Sequence, residues 1–436
     1  MRTHYIAEIN QNLENREVTL CGWVHEIRDL GKIKFLLLRD ISGLIQVTAK
    51  KDFCDSSLLE KIKSLNKESV IRVLGIVKVN EKAPHGVEIF PREIELISKA
   101  ETPLPLDVTE KVKAELDTRL NNRFLDLRKP EVAAIFKIKS WVLHFGREFL
   151  RKKGFIEVYT PKIIASASEG GTELFPISYF DKEAFLAQSP QLYKQMLMAS
   201  GFDRVFEIAT YFRAEEHDTR RHLNEVTAFD IEMSFIENEE DVMKILEGLV
   251  HFIIKNVIEN CETELKTIGK EIQPIEKPIL RLTYSDVLEL LESRGKKLEF
   301  GDDLDTESEK LLGKIVKEEY DRDIYFIKNF PLETKPFYTM PLSENDELSR
   351  SFDLGYKGVE ISSGSQRIHN YELLCERIKA KGLNPENFEF YLKSFRYGMP
   401  PHGGFGHGIE RLMMQLLDVQ IREVMLFPRD RHRLVP

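Results

Sequence analysis

Gly403-Gly404-Phe405-Gly406-His407-Gly408-Ile409-Glu410-Arg411-Leu412 is the stretch whose reading decides the fold. Four glycines fall within six residues, and the pattern then turns directly into helical spacing, with Glu410 and Arg411 in the first turns. Glycines that dense let the backbone approach something closely or adopt φ > 0. No βαβ unit precedes the stretch, so a dinucleotide-binding reading is weak. Alone, it reads equally as a tight strand-to-helix turn packed against a core.

Working outward, Arg350 to Arg367 forms a second pattern. Asp353 and Glu360 bracket a turn, and the Ser363 hydroxyl follows three residues after Glu360. Two carboxylates and a hydroxyl suit Mg²⁺ carrying phosphate, although a solvated hairpin has the same composition. Further upstream, Val205 to Glu232 is the densest polar stretch, a strand, a charged loop and a returning strand. Arg213 and Glu215 are two residues apart and are expected on one face, meeting one ligand together; a solvated charged hairpin is the competing reading. Between these patterns, Asn238 to about Lys317 reads as helical and highly charged without an interpretable motif, and is expected to be padding or a surface insertion over about 238–320.

An amphipathic helix is expected from about Glu131 to Lys153, with Ile135, Ile138, Val142, Phe145 and Phe149 at three- and four-residue spacing. Gly154 stops it, and a strand, Phe155 to Thr160, ends at Pro161. A loop with one carboxylate, Glu169, follows, and then Gln188-Ser189-Pro190-Gln191-Leu192-Tyr193-Lys194 leads into a short helix. At the other end of the chain, strands are expected at Val18–Val24, Ile33–Asp40, Gly43–Thr48, Ser69–Val79 and Val87–Ile97. A helix follows the third strand, and a turn at Ala83-Pro84-His85-Gly86 joins the last two. That layout is a small Greek-key barrel of the OB type, a scaffold that binds single-stranded nucleic acid. Phe35 and Gln46 fit such a surface, while strand alternation alone slightly favours Phe35 as core. Residues 101–130 are Pro-rich and polar. The expected fold class is α+β: an OB-fold domain over 1–100, a linker over 101–130, and a second domain over 131–436.

With 436 residues, 42% hydrophobic and 31% charged, the chain fits a globular protein of two domains rather than a disordered or fibrous one. The start lacks an apolar signal segment, and no apolar run approaches the ~20 residues that span a bilayer, so no membrane association is expected. Cys21, Cys54, Cys261 and Cys375 lie far apart; a zinc site or disulfide framework is not expected, and a reducing cytoplasm is. A net charge of −9 neither favours nor excludes nucleic acid, since a local basic surface is compatible with it.

The order of these patterns is specific where each alone is not. A helix–strand–Pro161 segment, a hairpin with Phe212-Arg213-x-Glu215, and Gly-x-Gly-x-Glu410-Arg411 opening a helix resemble motifs 1, 2 and 3 of the class II aminoacyl-tRNA synthetases. With an OB-like barrel in front, the chain resembles the subgroup that charges aspartate, asparagine or lysine. Gln188 to Lys194 and Ser362-Ser363-Gly364-Ser365-Gln366-Arg367 are most similar to the archaeal-type aspartyl-tRNA synthetases. The resemblance implies a second domain built on an antiparallel sheet flanked by helices.

It also implies roles. Lys194 and Arg367 would pair with the β-carboxylate of L-aspartate; an asparagine-specific relative gains nothing from that ammonium. Ser189, Gln191 and Asp230 would hold the α-amino end, with Glu169 closing from its loop and Ser363 also at the aspartate. The catalytic residues would be Arg213, Glu360 and Arg411. Arg213 would bind the α-phosphate and the substrate carboxylate, Glu215 the adenine amino group, and Arg221 and His222 the triphosphate. Arg411 would stack on adenine. Ala214, Leu223, Gly408, Ile409 and Glu410 complete the implied ATP contacts. Mg²⁺, held by Glu360 and Ser363 with Asp353 nearby, would neutralise the phosphates. In most of the class a Phe stands four residues after the His222 position and sandwiches adenine; here Val226 stands there, which puts any stacking by Phe229 in doubt.

Arg28, Phe35 and Gln46 would contact the anticodon, Phe35 stacking on its central uridine. Strict relatives tend to carry Trp and Lys at the places of His25 and Pro84, so the resemblance implies the relaxed kind, charging both tRNA-Asp and tRNA-Asn. It further implies a homodimer through the helix from Glu131. A strictly discriminating aspartyl-tRNA synthetase, an asparaginyl-tRNA synthetase, a non-catalytic synthetase-like tRNA-binding protein and an OB-fold single-strand binder are the competing readings; the last leaves most of the chain unexplained.

Overall fold

The computed structural model describes all residues except 110–111, 166–173, 215–222 and 343–344, together with the side chains of 345–346. The chain divides into two compact units, Met1–Asn122 and Arg123–Pro436.

In the first unit, five strands close a barrel in the order β1-β2-β3-β5-β4. They are β1 (Glu17–Asp29), β2 (Ile33–Asp40), β3 (Gly43–Lys50), β4 (Val70–Val79) and β5 (Val87–Ser98), with helix α1 (Ser56–Lys63) after the third. Alternation sends Leu36, Leu38, Ile45, Val47, Val73 and Ile89 inward, all essentially fully buried. Phe35 falls on the other face and is only half-buried, so it is not a core residue. β1 runs beyond its expected end because a bulge at His25 resets its register against β2, Val24 facing Leu38 and Glu26 facing Leu37. Closing the barrel also buries an ion pair. Arg39 meets Glu68 through two hydrogen bonds of 3.1 and 2.6 Å, and its NH1 lies 2.9 Å from His25 Nδ1.

The second unit is organised by an eight-stranded sheet. Helix α2 (Pro130–Lys152) leads to β6 (Ile156–Glu157), which is much shorter than the expected strand. Helix α3 (Gln191–Met198) precedes the hairpin of β7 (Arg204–Phe212) and β8 (Glu225–Ser234). Helix α4 (Glu239–Asn260) and the strands β9 (Leu280–Thr283) and β10 (Ile324–Lys328) follow. The hairpin of β11 (Ser351–Tyr356) and β12 (Val359–Arg367) comes next, and then β13 (His402–Gly408) and helix α5 (Ile409–Leu417). The sheet order is β9-β10-β11-β12-β13-β8-β7-β6. It is antiparallel except at its two edges, where β9 pairs with β10 and β6 with β7 in parallel.

Two findings correct the sequence reading. The glycine-dense stretch is not a turn but the strand β13, held between β8 and β12. The expected surface insertion is in part central. In α4, Val242, Met243, Leu246, Leu249, Val250, Ile253, Ile254 and Val257 are all completely buried and share one core with α2 and the sheet. Their three- and four-residue spacing is a plain amphipathic stripe, which the many charges on the opposite face obscure.

The start and end of this unit are tied together. The guanidinium of Arg123, 1% exposed, donates to the carbonyls of Glu423, Met425 and Leu426 and to Asp126. Nearby, Asn224 N–H donates to the carbonyl of Arg429, and the Asn224 side chain donates to the carbonyl of Arg213.

Candidate active site

A cleft of about 330 Å³ opens over β7, β8, β12 and β13 and is lined by Ser189, Gln191, Arg213, Leu223, Val226, Asp230, Glu360, Ser363, Arg367, Gly406, Gly408, Glu410 and Arg411, among others. The structure thus brings together expected residues from four separate stretches of sequence. Glu169, Glu215, Arg221 and His222 lie outside the described residues. β7 ends at Phe212, so the alternation expected for Arg213 and Glu215 does not apply there. The Arg213 backbone is instead fixed on both sides by Asn224: its N–H donates to the Asn224 carbonyl at 2.9 Å, and its carbonyl accepts from the Asn224 side-chain amide at 2.8 Å.

The inner end of the cleft is a buried set of four charges. Lys194 donates to Asp230 Oδ1 and to the carbonyl of Ile231 at 3.1 Å, and lies 3.3 Å from Glu232 Oε2. Arg367 donates to Glu232 Oε1 at 3.1 Å, to Ser365 Oγ at 2.6 Å and to the Gly404 carbonyl at 3.0 Å, and lies 3.4 Å from Gln191 Oε1. The two cations expected for a substrate carboxylate are therefore already balanced by two carboxylates. Burial pushes the Asp230 carboxyl up despite Lys194 beside it. Burial also opposes the Glu232 charge, but Arg367 and then Lys194 outweigh it and hold that carboxyl below its ordinary range. Glu232 escaped the sequence reading. It stands two residues after Asp230 on β8, and that spacing alone puts both carboxylates on one face.

Glycines of β13 accommodate this set. A Cβ at Gly404 would stand 2.1 Å from the Ile231 carbonyl oxygen and 2.3 Å from Glu232 Oε2. A Cβ at Gly406 would meet Asp230 Oδ2 at 3.3 Å. Neither glycine has a positive φ; close approach, not backbone freedom, requires them.

At the outer end, Arg411 NH1 donates to the Glu360 carbonyl at 3.1 Å and lies 3.6 Å from its carboxylate. Glu360 and Ser363 are three apart, which on a regular strand would put them on opposite faces. A bulge at Ile361 corrects this: Glu360 pairs with Gly355 and Ser363 with Asp353, so both share a face with Asp353. Asp353 pairs with Lys335 through one oxygen at 3.0 Å, while its Oδ1 is buried without a hydrogen-bond partner. Burial against the cleft floor, and then the Asp353 carboxylate, push the Glu360 carboxyl up, although 40% of its side chain stays open to the cleft. Among the described residues, no group of three His, Cys, Asp or Glu side chains forms a metal cluster.

Other expected nucleotide contacts have their side chains engaged elsewhere. Ile409 is completely buried in the core. Glu410 accepts from Lys139 at 2.8 Å and from the Thr227 N–H at 2.9 Å, which fixes the first turn of α5 to α2 and β8. Leu223 is buried but lines the cleft; Ala214 is half-buried beyond it. Val226 lines the cleft, whereas Phe229 is fully buried, stacked on His407 at a centroid distance of 6.3 Å and packed against Gly146.

On the barrel, Arg28 pairs in register with Phe35, and Phe35 with Thr48, so these side chains share the outer face with Gln46. Gln46 donates to Glu88 at 2.9 Å and to Thr48 at 3.1 Å. Burial and the Arg39 guanidinium hold the His25 imidazole below its ordinary value. Pro84 opens a short 3-10 turn, Pro84–Gly86, between β4 and β5.

An OB barrel ahead of a largely antiparallel sheet whose cleft joins Arg213, Glu360 and Arg411 defines a class of protein. Residues 115–431 match the tRNA synthetases class II (D, K and N), and residues 18–97 match the OB-fold nucleic acid binding domain. The chain belongs to that class II family. Among its relatives, the aspartate–tRNA(Asp) ligase of Pyrococcus horikoshii is 58% identical and the aspartate–tRNA(Asp/Asn) ligase of Methanopyrus kandleri 55%, each covering 100% of both chains. Of solved structures, the asparaginyl-tRNA synthetase of Pyrococcus horikoshii complexed with asparaginyl-adenylate is similar with a TM-score of 0.91, at 35% identity over 99% of each chain.

Proposed function

We propose that this enzyme activates L-aspartate with ATP and transfers it to tRNA. An oxygen of the aspartate α-carboxylate attacks the α-phosphorus of ATP, the bond to the bridging oxygen breaks, and pyrophosphate leaves. The 3′-terminal ribose hydroxyl of tRNA then attacks the aspartyl carbonyl, and AMP leaves. Positioning and charge stabilisation carry both steps. The observation that carries the reading is the buried set of Lys194, Asp230, Glu232 and Arg367 at the closed end of a cleft whose open end holds Arg213, Glu360 and Arg411. Bound aspartate exchanges partners within that set. Its ammonium takes Asp230, with Ser189 and Gln191 beside it, and its β-carboxylate takes the Lys194 ammonium so released, together with Arg367. ATP–pyrophosphate exchange tests this: aspartate supports exchange and asparagine does not. Exchange driven by asparagine alone would overturn it.

For ATP, Arg213 contacts the α-phosphate and Arg411 swings off Glu360 to stack on adenine, with Val226 as an aliphatic floor. Asp353, Glu360 and Ser363 fit Mg²⁺. One Asp353 oxygen is buried without a partner, and burial and then that neighbouring carboxylate push the Glu360 carboxyl up; a hard divalent cation would offset both effects. Glu360 and Ser363, with Asp353 beside them, would hold Mg²⁺, which would supply positive charge against the phosphates. A homodimer through α2 is consistent with Trp141, 40% exposed on that helix, and Ile156, 46% exposed on the strand after it; sedimentation of the intact protein at micromolar concentration checks it. Among the described residues no helix is long and apolar enough to cross a membrane, which is compatible with a cytoplasmic enzyme.

For tRNA, Arg28, Phe35 and Gln46 contact the anticodon. His25 and Pro84 favour acceptance of tRNA-Asn as well as tRNA-Asp, since a bulged imidazole held by Arg39 and a ring without a charge contact the third base less selectively than Trp and Lys. Relatives named for tRNA(Asp) alone and for tRNA(Asp/Asn) stand at similar identities, 58% and 55%, so overall likeness does not separate the two kinds. Charging of purified tRNA-Asn transcript does; no aspartylation above background would refute the relaxed reading.

A further inference from the structure

We infer that Phe53 and Phe90 form a second stacking station on the barrel, which takes a nucleobase of the single-stranded anticodon loop next to the base on Phe35. This rests on the reading of the barrel as the anticodon-binding unit. Three observations carry it.

The first is placement. Phe35 is paired with Thr48 across β2 and β3, and Val47 with Ile89 across β3 and β5. Phe90 follows Ile89 and so lies on the outer face level with Thr48. Two strand spacings separate Phe35 from Phe90, about 10 Å, a span that neighbouring splayed nucleotides bridge.

The second is the state of the rings. Phe53 is 72% exposed, an unfavourable place for a phenyl ring, and its centroid lies 6.1 Å from that of half-buried Phe90 at an interplanar angle of 49°. The turn that carries Phe53 is tied down. The Phe53 and Cys54 N–H groups donate to the Lys50 carbonyl at 3.0 and 2.9 Å, and Cys54 Sγ contacts the Pro91 carbonyl at 3.7 Å. The ring is thus presented in advance, which lowers the ordering cost of binding.

The third is charge. Lys50 Nζ stands 5.1 Å over the Phe90 ring, and the Lys51 N–H donates to the Lys32 carbonyl at 3.0 Å, bringing three lysines to the strand ends beside the aromatic pair. Aromatic faces beside a basic edge take up bases and their phosphates together.

The test compares F53A, F90L and F35A in the intact protein, read by the tRNA KM of aspartylation and by aspartate-dependent ATP–pyrophosphate exchange. Expected for F53A and F90L is a tRNA KM raised by about five- to fifty-fold, the range of one lost base stack, with the loss confined to the tRNA-dependent step. F90W should restore the parental KM. An anticodon-loop transcript with an abasic site at the stacked position should bind the parent and F90L equally, at a position different from the one insensitive to F35A. If F35A raises the KM and F53A and F90L do not, the station is overturned while the anticodon reading stands. If none of the three changes the KM, both fall.

Discussion

At Lys194 the molecule holds a cation 3% exposed between two carboxylates before any substrate arrives. Removing it leaves Asp230 and Glu232 buried together with Arg367 alone. K194M should therefore cost about 3–5 kcal/mol of stability as well as aspartate-dependent exchange, measured by denaturant unfolding and isotope exchange; an unchanged unfolding midpoint would mean the pair is not buried as described. Arg411 is different, because among the described residues its hydrogen bond and its ion pair both go to Glu360, and it lies in the cleft. R411A should fold normally and raise the KM for ATP about ten-fold or more, with little change in the KM for aspartate. Near-parental ATP kinetics would put adenine elsewhere. Residue types and order in the sequence pointed to Lys194, Arg213, Asp230, Arg367 and Arg411. They did not point to the partner exchange, because which charges already neutralise each other depends on β13 lying between β8 and β12 and on α3 bringing Lys194 to β8.

The strand β13 makes its own demands. G404A places a methyl group against the backbone carbonyl of Ile231, which cannot move without breaking the sheet, so a loss of about 3 kcal/mol or outright failure to fold is expected. G406A meets only side-chain atoms at ordinary-to-tight distance, the carboxylate of Asp230 at 3.3 Å and the hydroxyl of Tyr211 at 3.5 Å. It should fold, and show its effect in a raised KM for aspartate; soluble, fully stable G404A would overturn this contrast. The sequence revealed the glycine density but read it as a turn, since a strand whose neighbours carry buried carboxylates has the same letters as a flexible loop. The bulge at Ile361 was likewise invisible. The sequence grouped Glu360 and Ser363 by chemistry alone; three residues apart on a regular strand they would face opposite ways, and the register against β11 is what brings them to one face. The stretch of helix α4 was read as helical, but its central burial was missed for a third reason: its apolar stripe is interleaved with surface charges that dominate the composition.

Over the whole molecule, acid sensitivity is unevenly placed. Burial drives His402 down to about 4 and His407 to about 3, both in the second unit and fully buried. A histidine whose folded value lies below its unfolded 6.5 contributes stability that is complete above about pH 6.5 and is lost as the pH falls toward the folded value. His402 alone should remove up to about 3 kcal/mol between pH 6.5 and 4. Unfolding monitored across that window should show a falling midpoint, shallower in H407N than in the parent. An equal slope in the two would refute the assignment to His407. The OB barrel and the three motif-bearing stretches were legible from order and periodicity, because each is local or repeats along the chain, whereas the sheet followed only from the family resemblance that those stretches carry. The ties between distant stretches were not.

The grip of Arg123 on the carbonyls of Glu423, Met425 and Leu426 has a consequence for biosynthesis. During translation the guanidinium emerges some three hundred residues before its acceptors, so the second unit stays unfinished until the ribosome has delivered them. A message broken ahead of Glu423 yields a polypeptide with a positive charge that has lost its carbonyl acceptors in the interior, and with the Arg213 loop unbraced by Arg429. Such a fragment keeps the first unit, Met1–Asn122, but lacks the closure of the second.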